Sequence, residues 1–341
     1  MAHKIGILGA SGYTGAELVR LIAPHPQMEI ACLTADRKAG QTMGEVFPQF
    51  GHMELPRLVT MEEAPIAEMD LVFCALPHGL VHKLAGALPD RVKIVDLSAD
   101  FRFENTDDYT AWYKAPHGAP DLQKTAAYGI PEFHRDAIAA ARLTGNSGCH
   151  VVTSLLPLVP LVEAGLIDTD SIVVDTKSGV SGAGRAANEA MLHTEVSEGI
   201  HAYGLGWHRH MGEFDKELSR AAGREVIATF VPHLVPMNRG LLATIYLQGD
   251  AEAAHAALAE RYQNEPFVHV LPFGQSPQTR HVRGSNHARI GVSKDRRSGR
   301  MIVTSVTDNL GKGASGQALQ CANLMLGLPE TMGLEALPLF P

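Results

Sequence analysis

Cysteine is scarce in this chain: Cys32, Cys74, Cys149 and Cys321 stand far apart, with no CxxC pair. That spacing excludes a disulfide framework and a zinc knuckle, and no metal is expected. Basic residues are not in excess either, since 29 Lys and Arg face 37 Asp and Glu for a formal charge of −8. A general binder of nucleic acid or anionic membrane needs a basic face, so neither is an expected partner. Local basic pockets for a small anion are still allowed. No apolar run approaches the ~18 residues of a membrane span. The opening MAHKIGILGA runs directly into glycines after a short apolar stretch, so it does not read as a secretory signal. Internal repeats and low-complexity tracts are lacking as well. These absences lead us to expect a soluble, cytoplasmic protein.

What is present suffices for large cores. Of 341 residues, 45% are apolar and 19% charged, and at about 150 residues per domain the length suggests two domains or three. The first half alternates strand-like runs (Lys4 to Leu8, Met28 to Leu33, Leu71 to Ala75, Lys93 to Leu97) with helix-like ones (Ala16 to Ile22, Gly79 to Leu88). Such alternation implies βαβ units and a parallel sheet. The second half carries longer β-rich runs at Ser171 to Thr176, Glu225 to Val231, Leu241 to Leu247 and Met301 to Val306, with a helix-like Glu252 to Gln263. This is an α+β pattern with a mixed or antiparallel sheet. The boundary falls near Asn146 to Cys149. Lys294 to Arg300 reads as a solvated hairpin tip. A last helix-like stretch, Ser315 to Leu326, is apolar along one face and is expected to pack back on the first domain.

Gly9, Gly12 and Gly15 stand in GASGYTG between the first strand and the first helix. Glycine there lets the backbone turn tightly and approach a pyrophosphate, which then faces the N–H groups of the helix start. Ser11, Tyr13 and Thr14 lie in the same loop. The spacing is GxxGxxG, and its strand–turn–helix context is what such a motif requires. At the end of the second strand, Asp36 points towards NAD and the pair Arg37 and Lys38 towards the 2′-phosphate of NADP. We favour NADP.

Cys149 lies in NSGCH, directly before the apolar stretch Val151 to Ile167. A cysteine at a helix N-terminus has its thiolate stabilised by unpaired N–H groups and the helix dipole, and becomes a nucleophile near neutral pH. Pro157 and Pro160 complicate that helix, because each removes a donor and can kink it. Cys32 and Cys74, within strand patterns, and Cys321, on the last helix, read as small buried hydrophobes. A nucleophilic thiol also needs a group that can take and return a proton. Among 17 histidines, the segment GWHRHMGEF is the informative one: His208 and His210 flank Arg209, and Glu213 follows. If that segment is extended, both imidazoles share a face.

Several motifs occur in a fixed order: the Gly9–Gly15 loop, DLSADFR (Asp96 to Arg102), YGIPE (Tyr128 to Glu132), the Cys149 motif, TKSGVSGAGR (Thr176 to Arg185), HRHMGE, HLVPMNRG (His233 to Gly240) and DNLGKGASGQA (Asp308 to Ala318). Together they resemble the N-acetyl-gamma-glutamyl-phosphate reductases, relatives of aspartate-semialdehyde dehydrogenase, over nearly the whole chain. Where that family usually reads Asn-Pro-Gly-Cys-Tyr-Pro-Thr, this chain has Ser147, His150 and Val152.

The resemblance implies an α/β fold. An N-terminal Rossmann-like parallel-sheet domain would span 1–148 and 314–341. An α+β domain with a mixed, largely antiparallel sheet would span 149–313 and supply catalytic groups and the oligomer interface of a homodimer or homotetramer. It implies NADPH-dependent reductive dephosphorylation of N-acetyl-γ-glutamyl phosphate, in arginine biosynthesis, through a Cys149 thioester with His210 as proton shuttle. Ser178, Gly179, Gly182 and Asn309 match positions near the nicotinamide. Arg102, Asn146, Arg185 and Arg239 are candidates for phosphate or carboxylate, which a guanidinium can bind bidentately. Two other readings compete. One is reduction of N-acetyl-aminoadipyl phosphate, a substrate one methylene longer, and one methylene is worth only about 1–3 kcal/mol in a pocket. The other is a catalytically silent, NADP-responsive regulator, which would need neither Cys149 nor His210.

Overall fold

A computed structural model describes residues 2–339. The chain divides into two compact units, Met1–Ser147 with Ala314–Glu335, and Gly148–Gly313 with Ala336–Pro341.

The first unit is built on a seven-stranded sheet in the order β3-β2-β1-β4-β5-β7-β6. Its strands are β1 (His3–Leu8), β2 (Met28–Thr34), β3 (Leu58–Val59), β4 (Leu71–Cys74), β5 (Lys93–Asp96), β6 (Ala127–Gly129) and β7 (Leu143–Asn146). Every pairing is parallel. The central strands β1, β4 and β5 are apolar runs buried almost throughout, as a sheet covered on both faces requires. The strand order reverses between β1 and β4, the point where open α/β sheets receive their ligands. Helix α1 (Tyr13–Ile22) follows β1, α2 (Val81–Ala87) follows β4, and α3 (Pro131–Ala140) follows β6. The last helix, Gly316–Met325, packs against α1, α3 and β5 as expected. Its Gln320 donates to Glu132 Oε1 at 3.2 Å, and its Asn323 Oδ1 lies 3.2 Å from His25 Nε2. Cys32, Cys74 and Cys321 are buried, and burial pushes the thiols of Cys32 and Cys74 up.

The second unit carries a mixed sheet in the order β12-β13-β14-β11-β8-β10-β9. Its strands are β8 (Val173–Gly179), β9 (His201–Ala202), β10 (Thr229–Val235), β11 (Leu241–Gln248), β12 (Val268–Val270), β13 (Ala288–Lys294) and β14 (Arg300–Thr307). Four of the six pairings are antiparallel; β8 with β10 and β12 with β13 are parallel. Burial alternates along β8 and β11, so one sheet face forms the core. Against that face lies α4 (Cys149–Glu163), buried from His150 to Val162, with α5 (His210–Ala222) and α6 (Ala251–Tyr262) beside it.

Despite Pro157 and Pro160, α4 is one helix of 15 residues. Pro160 leaves the Leu156 carbonyl without its intrahelical donor, and the Tyr262 hydroxyl donates to that carbonyl at 2.5 Å. Residues 336–339 belong to this second unit rather than to the first, to which the sequence assigned 314–341 entire. There the Leu339 N–H donates to the Arg283 carbonyl at 2.8 Å.

Candidate active site

In the first unit, the glycine loop joins β1 to α1. Gly9 has φ +87°, and a Cβ there would lie 2.3 Å from the Ala75 carbonyl oxygen. A Cβ on Gly15 would sit 2.4 Å from the Gly9 oxygen, whereas at Gly12 the nearest atom is 3.5 Å away. Gly9 and Gly15 are therefore demanded by packing, and Gly12 leaves open room. The end of β2 pins the loop: Gly9 N–H donates to Thr34 Oγ1 at 3.1 Å, and Ala10 N–H to the Thr34 carbonyl at 2.8 Å. Helix α1 begins at Tyr13 after the N-cap Gly12, with no side-chain cap hydrogen bond, at the end of this narrow backbone turn. This fits a dinucleotide phosphate. Ser11, Tyr13 and Thr14 lie on the loop and first turn, and Asp36, Arg37 and Lys38 follow the end of β2, with Asp36 and Arg37 exposed.

In the second unit, Cys149 is the first residue of α4, after the N-cap Gly148. It is half-buried, unlike the other three cysteines. His210 opens α5, and its ring lies directly over Gly148: a Cβ there would be 2.3 Å from Nε2. Glu213, one turn into α5 and 0% exposed, accepts from Gly148 N–H at 3.2 Å and lies 4.0 Å from His210 Nε2. One carboxylate thus touches both the turn that carries the nucleophile and the imidazole above it. A buried carboxylate in a first helical turn is also favoured by the helix dipole. From the other side Gly313 closes on the thiol, with a Cβ there 2.9 Å from Cys149 Cβ.

The histidine segment is not extended, as the shared-face reading required; the chain turns at His208 and enters α5 at His210. The two imidazoles still meet, with centroids 4.7 Å apart, because the helix start folds one over the other. His208 Nδ1 accepts from the His210 backbone N–H at 3.2 Å, which leaves Nε2 to carry the proton in the neutral ring. Burial, then the Arg209 charge, pulls His208 down to about 4. His150 is packed 5.8 Å from His208 and 5.4 Å from His210. Burial, with a smaller contribution from His208, pulls it down to about 3. Its Nδ1 lies 2.8 Å from Thr176 Oγ1 and its Nε2 lies 3.1 Å from the Tyr203 hydroxyl. Sequence reasoning noted His150 only as a departure and passed over Tyr203 and Thr176. The lone signal for Tyr203 was its place five residues before His208.

Ser178, Gly179, Gly182 and Asn309 come together in the second unit at the end of β8. A Cβ on Gly182 would be 3.0 Å from Ser178 Oγ and 3.8 Å from Asn309 Nδ2. Asn309 accepts from Gly240 N–H at 2.8 Å and donates to Ser181 Oγ at 2.9 Å. Beside it, Arg239 pairs with fully buried Asp308, Nε to Oδ2 at 2.9 Å and Nη2 to Oδ1 at 3.0 Å. Asp308 also accepts from the N–H groups of Gly284, Leu310 and Gly311. Arg185 lies exposed in the loop after β8. Arg102 and Asn146 belong to the first unit and are buried. There Arg102 donates to the Leu97 carbonyl and Asn146 to that of Ala314, both at 3.3 Å.

Comparison with known proteins places both halves. Residues 4–141 match a family model described as semialdehyde dehydrogenase, NAD binding domain, and residues 149–309 one described as semialdehyde dehydrogenase, dimerisation domain. The aspartate semialdehyde dehydrogenase II structure from Vibrio cholerae is similar over 96% of this chain and 99% of its own, with a TM-score of 0.73 at 18% identity. Aspartate semialdehyde dehydrogenase with NADP from Candida albicans gives a TM-score of 0.70 over 96% and 99%, also at 18% identity. Among curated sequences, N-acetyl-gamma-glutamyl-phosphate reductases from Paracoccus denitrificans and Ruegeria pomeroyi are 58% and 57% identical, over 100% of both chains. Identity of that degree from end to end means that the chain belongs to the N-acetyl-gamma-glutamyl-phosphate reductase family of semialdehyde dehydrogenases.

Proposed function

We propose that the chain reduces N-acetyl-γ-glutamyl phosphate to N-acetyl-glutamate 5-semialdehyde and phosphate, with NADPH as cofactor and Cys149 as covalent nucleophile. The reaction is the one named for its full-length relatives. The observation that carries the mechanism is local: a half-buried cysteine opens a helix beneath an imidazole whose partner carboxylate, Glu213, also bonds the turn.

The Cys149 thiolate attacks the acyl carbonyl, the C–O bond to phosphorus breaks, and phosphate leaves with the electron pair. A thioester stays on the enzyme. When bound, NADPH supplies a hydride, the chemistry needed to take a thioester to the aldehyde level. His210 donates a proton to the oxygen of the resulting thiohemiacetal and takes it back as the C–S bond breaks, releasing aldehyde and thiolate. Splitting one hard substitution into two easier steps is the gain of covalent catalysis. His208, held neutral by burial, serves as an orienting partner whose Nδ1 accepts from the His210 backbone.

The first unit is assigned cofactor binding through Gly9, Ser11, Gly12, Tyr13, Thr14 and Gly15, with Arg37 and Lys38 on the 2′-phosphate. The second is assigned catalysis, a nicotinamide-facing cluster of Ser178, Gly179, Gly182 and Asn309, and a homo-oligomer interface, in keeping with the dimerisation model it matches. Arg102, Asn146, Arg185 and Arg239 are the candidates for the substrate's anionic groups. No helix among the described residues is long and apolar enough to cross a membrane, and we assign the enzyme to the cytoplasm. The deciding assay is steady-state turnover, forward with acyl phosphate and NADPH or in reverse with semialdehyde, phosphate and NADP. Cys149→Ala should bind NADP normally and lose turnover, and iodoacetamide should label Cys149 ahead of Cys32, Cys74 and Cys321. Near-normal turnover of Cys149→Ala would overturn the mechanism.

A further inference from the structure

We propose that Asp100 is a positioning residue for the cofactor, holding the turn after β4 in place to line the crevice beside the glycine loop. The inference deepens the reading above and rests on the first unit as the one that binds the dinucleotide.

The turn, residues 75–80, begins where β4 ends. Its Ala75 N–H donates to the Leu8 carbonyl, at the end of β1, at 2.8 Å. A Cβ on Gly9 would lie 2.3 Å from the Ala75 oxygen and 3.4 Å from Leu76 Cδ2. Turn and glycine loop are thus neighbours at the point where strand order reverses, which is where open α/β sheets take their ligands. From Pro77 to Leu80 the turn is exposed. Gly79 has φ +87°, with nothing within 4 Å of where a Cβ would stand. Leu80, the N-cap of α2, has no side-chain acceptor to offer. Asp100 supplies what the local sequence lacks. Its carboxylate, fully buried in the loop after β5, accepts from Gly79 N–H through Oδ1 at 2.6 Å and from Val81 N–H through Oδ2 at 3.0 Å. An exposed turn is fixed from the inside.

Asp100 is itself held at its carbonyl, whose oxygen lies 3.1 Å from His82 Nε2 and 2.8 Å from His117 Nε2. The Nδ1 atoms of these rings accept from the N–H groups of Gly118 and Ala119, at 3.1 and 3.2 Å. A ring nitrogen that accepts carries no proton, so both neutral imidazoles bear theirs on Nε2 and donate to the one carbonyl. The rings pack with centroids 4.0 Å apart. Tyr109 completes the group by donating its hydroxyl to Asp100 Oδ1 at 3.2 Å. Of the donors to this carboxylate, Gly79 and Val81 anchor the turn and Tyr109 does not. Without the carboxylate the turn samples other conformations, and cofactor affinity falls with the fraction that stays competent.

The test compares wild type with Asp100→Asn, Gly79→Ala and Tyr109→Phe. The readouts, taken without substrate, are the NADPH Kd and the hydrogen exchange of residues 76–81 with and without NADPH. In wild type NADPH should slow exchange there and in the glycine loop, residues 9–15. Asparagine keeps the shape, but its NH2 meets one of the two N–H groups donor to donor. Asp100→Asn should therefore speed exchange in 76–81 and raise the NADPH Kd by about 10-fold. Gly79→Ala strains the same turn from its exposed side and should raise Kd similarly; it decides the matter should Asp100→Asn fail to fold. Tyr109→Phe breaks the third bond and neither of those to the turn, so its Kd should stay near that of wild type. An unchanged Kd in Asp100→Asn and Gly79→Ala overturns the proposal. So does a Kd that rises as far in Tyr109→Phe as in Asp100→Asn, which would mean general loosening. Protection of 9–15 without protection of 76–81 sinks the proposal alone, whereas protection of neither overturns the parent reading together with it.

Discussion

At the scale of single residues, the site turns on which imidazole titrates in the working range. His208 is held near 4 by burial and by Arg209, so it is neutral at every pH where the enzyme is assayed near neutrality. A limb of the kcat profile close to pH 6–7, the ordinary range of histidine, cannot come from it. His210→Asn should lower kcat by about 10²–10⁴-fold and remove that limb. His208→Asn should keep the limb and act mainly on KM. A limb that survives in His210→Asn and vanishes in His208→Asn reverses the assignment. Gly148 provides a second probe. Its absent Cβ is what lets the His210 ring lie against the turn. Gly148→Ala should displace His210 and cut kcat to the level of His210→Asn, with NADP binding unchanged. Wild-type kcat in Gly148→Ala would show that His210 need not sit there.

At the scale of elements, α4 shows how an unfavourable sequence is accommodated. Two prolines inside a helix orphan carbonyls, and an unpaired buried acceptor costs about 1–3 kcal/mol. Tyr262 on α6 meets the one left at Leu156. Tyr262→Phe should therefore lower stability by about 1–3 kcal/mol in denaturant unfolding, with kcat unchanged; a change under about 0.5 kcal/mol would mean that the carbonyl finds another donor. The sequence disclosed α4 and its cysteine but not this repair, since nothing local links Leu156 to residue 262. The same limit explains other omissions. β3 has two residues and β6 three, too few for a periodicity, and β7 reads LTGN with no apolar run. β10 was expected to stop at Val231, yet it runs from Thr229 to Val235 through Pro232, because pairing with β8 and β9 outweighs the missing proline donor. Cys149, His208, His210, Glu213 and the glycine loop stand out in the sequence because each lies in a dense local motif. The triad of Thr176, His150 and Tyr203 does not, being assembled from three separate elements.

Across the whole molecule, two properties depend on ionisable groups other than the nucleophile. The first is stability against pH. His150 and His208 have folded values of about 3 and 4, below the ordinary 6.5. As pH falls below 6.5 the unfolded chain takes up protons that the folded one refuses, so each contributes a loss of about 1.4 kcal/mol per pH unit until its folded value is reached. Asp96, buried and raised to about 7, acts in the opposite sense. The folded state keeps its proton between 3.8 and 7 while the unfolded chain releases it, so its contribution fades as pH rises through that window. Because the two effects offset each other in the wild type, the variant comparison isolates them. Between pH 6 and 5, the unfolding free energy of His208→Asn should fall less than that of wild type, by up to about 1 kcal/mol. An identical slope would mean that His208 takes up a proton in the fold.

The second property is cofactor choice. The chain after β2 presents a carboxylate and two cations side by side, at Asp36, Arg37 and Lys38. A carboxylate suits the free ribose hydroxyl of NAD, and cations suit the 2′-phosphate of NADP. The charges cannot all serve one ligand: a phosphate drawn to the cations is repelled by Asp36, unless that side chain stays in solvent, where its exposure puts it. Arg37 is exposed and Lys38 partly so, which weakens each cation singly, so the preference must come from Arg37 and Lys38 together. Replacing both with alanine should raise the KM for NADPH by about 10- to 100-fold, the worth of one or two charge-assisted contacts, and change that for NADH by less than about threefold. Asp36→Ala should leave NADPH unharmed and weaken NADH. Equal losses for both cofactors in the double variant, or a wild-type preference for NADH, would make Asp36 the residue that governs the site.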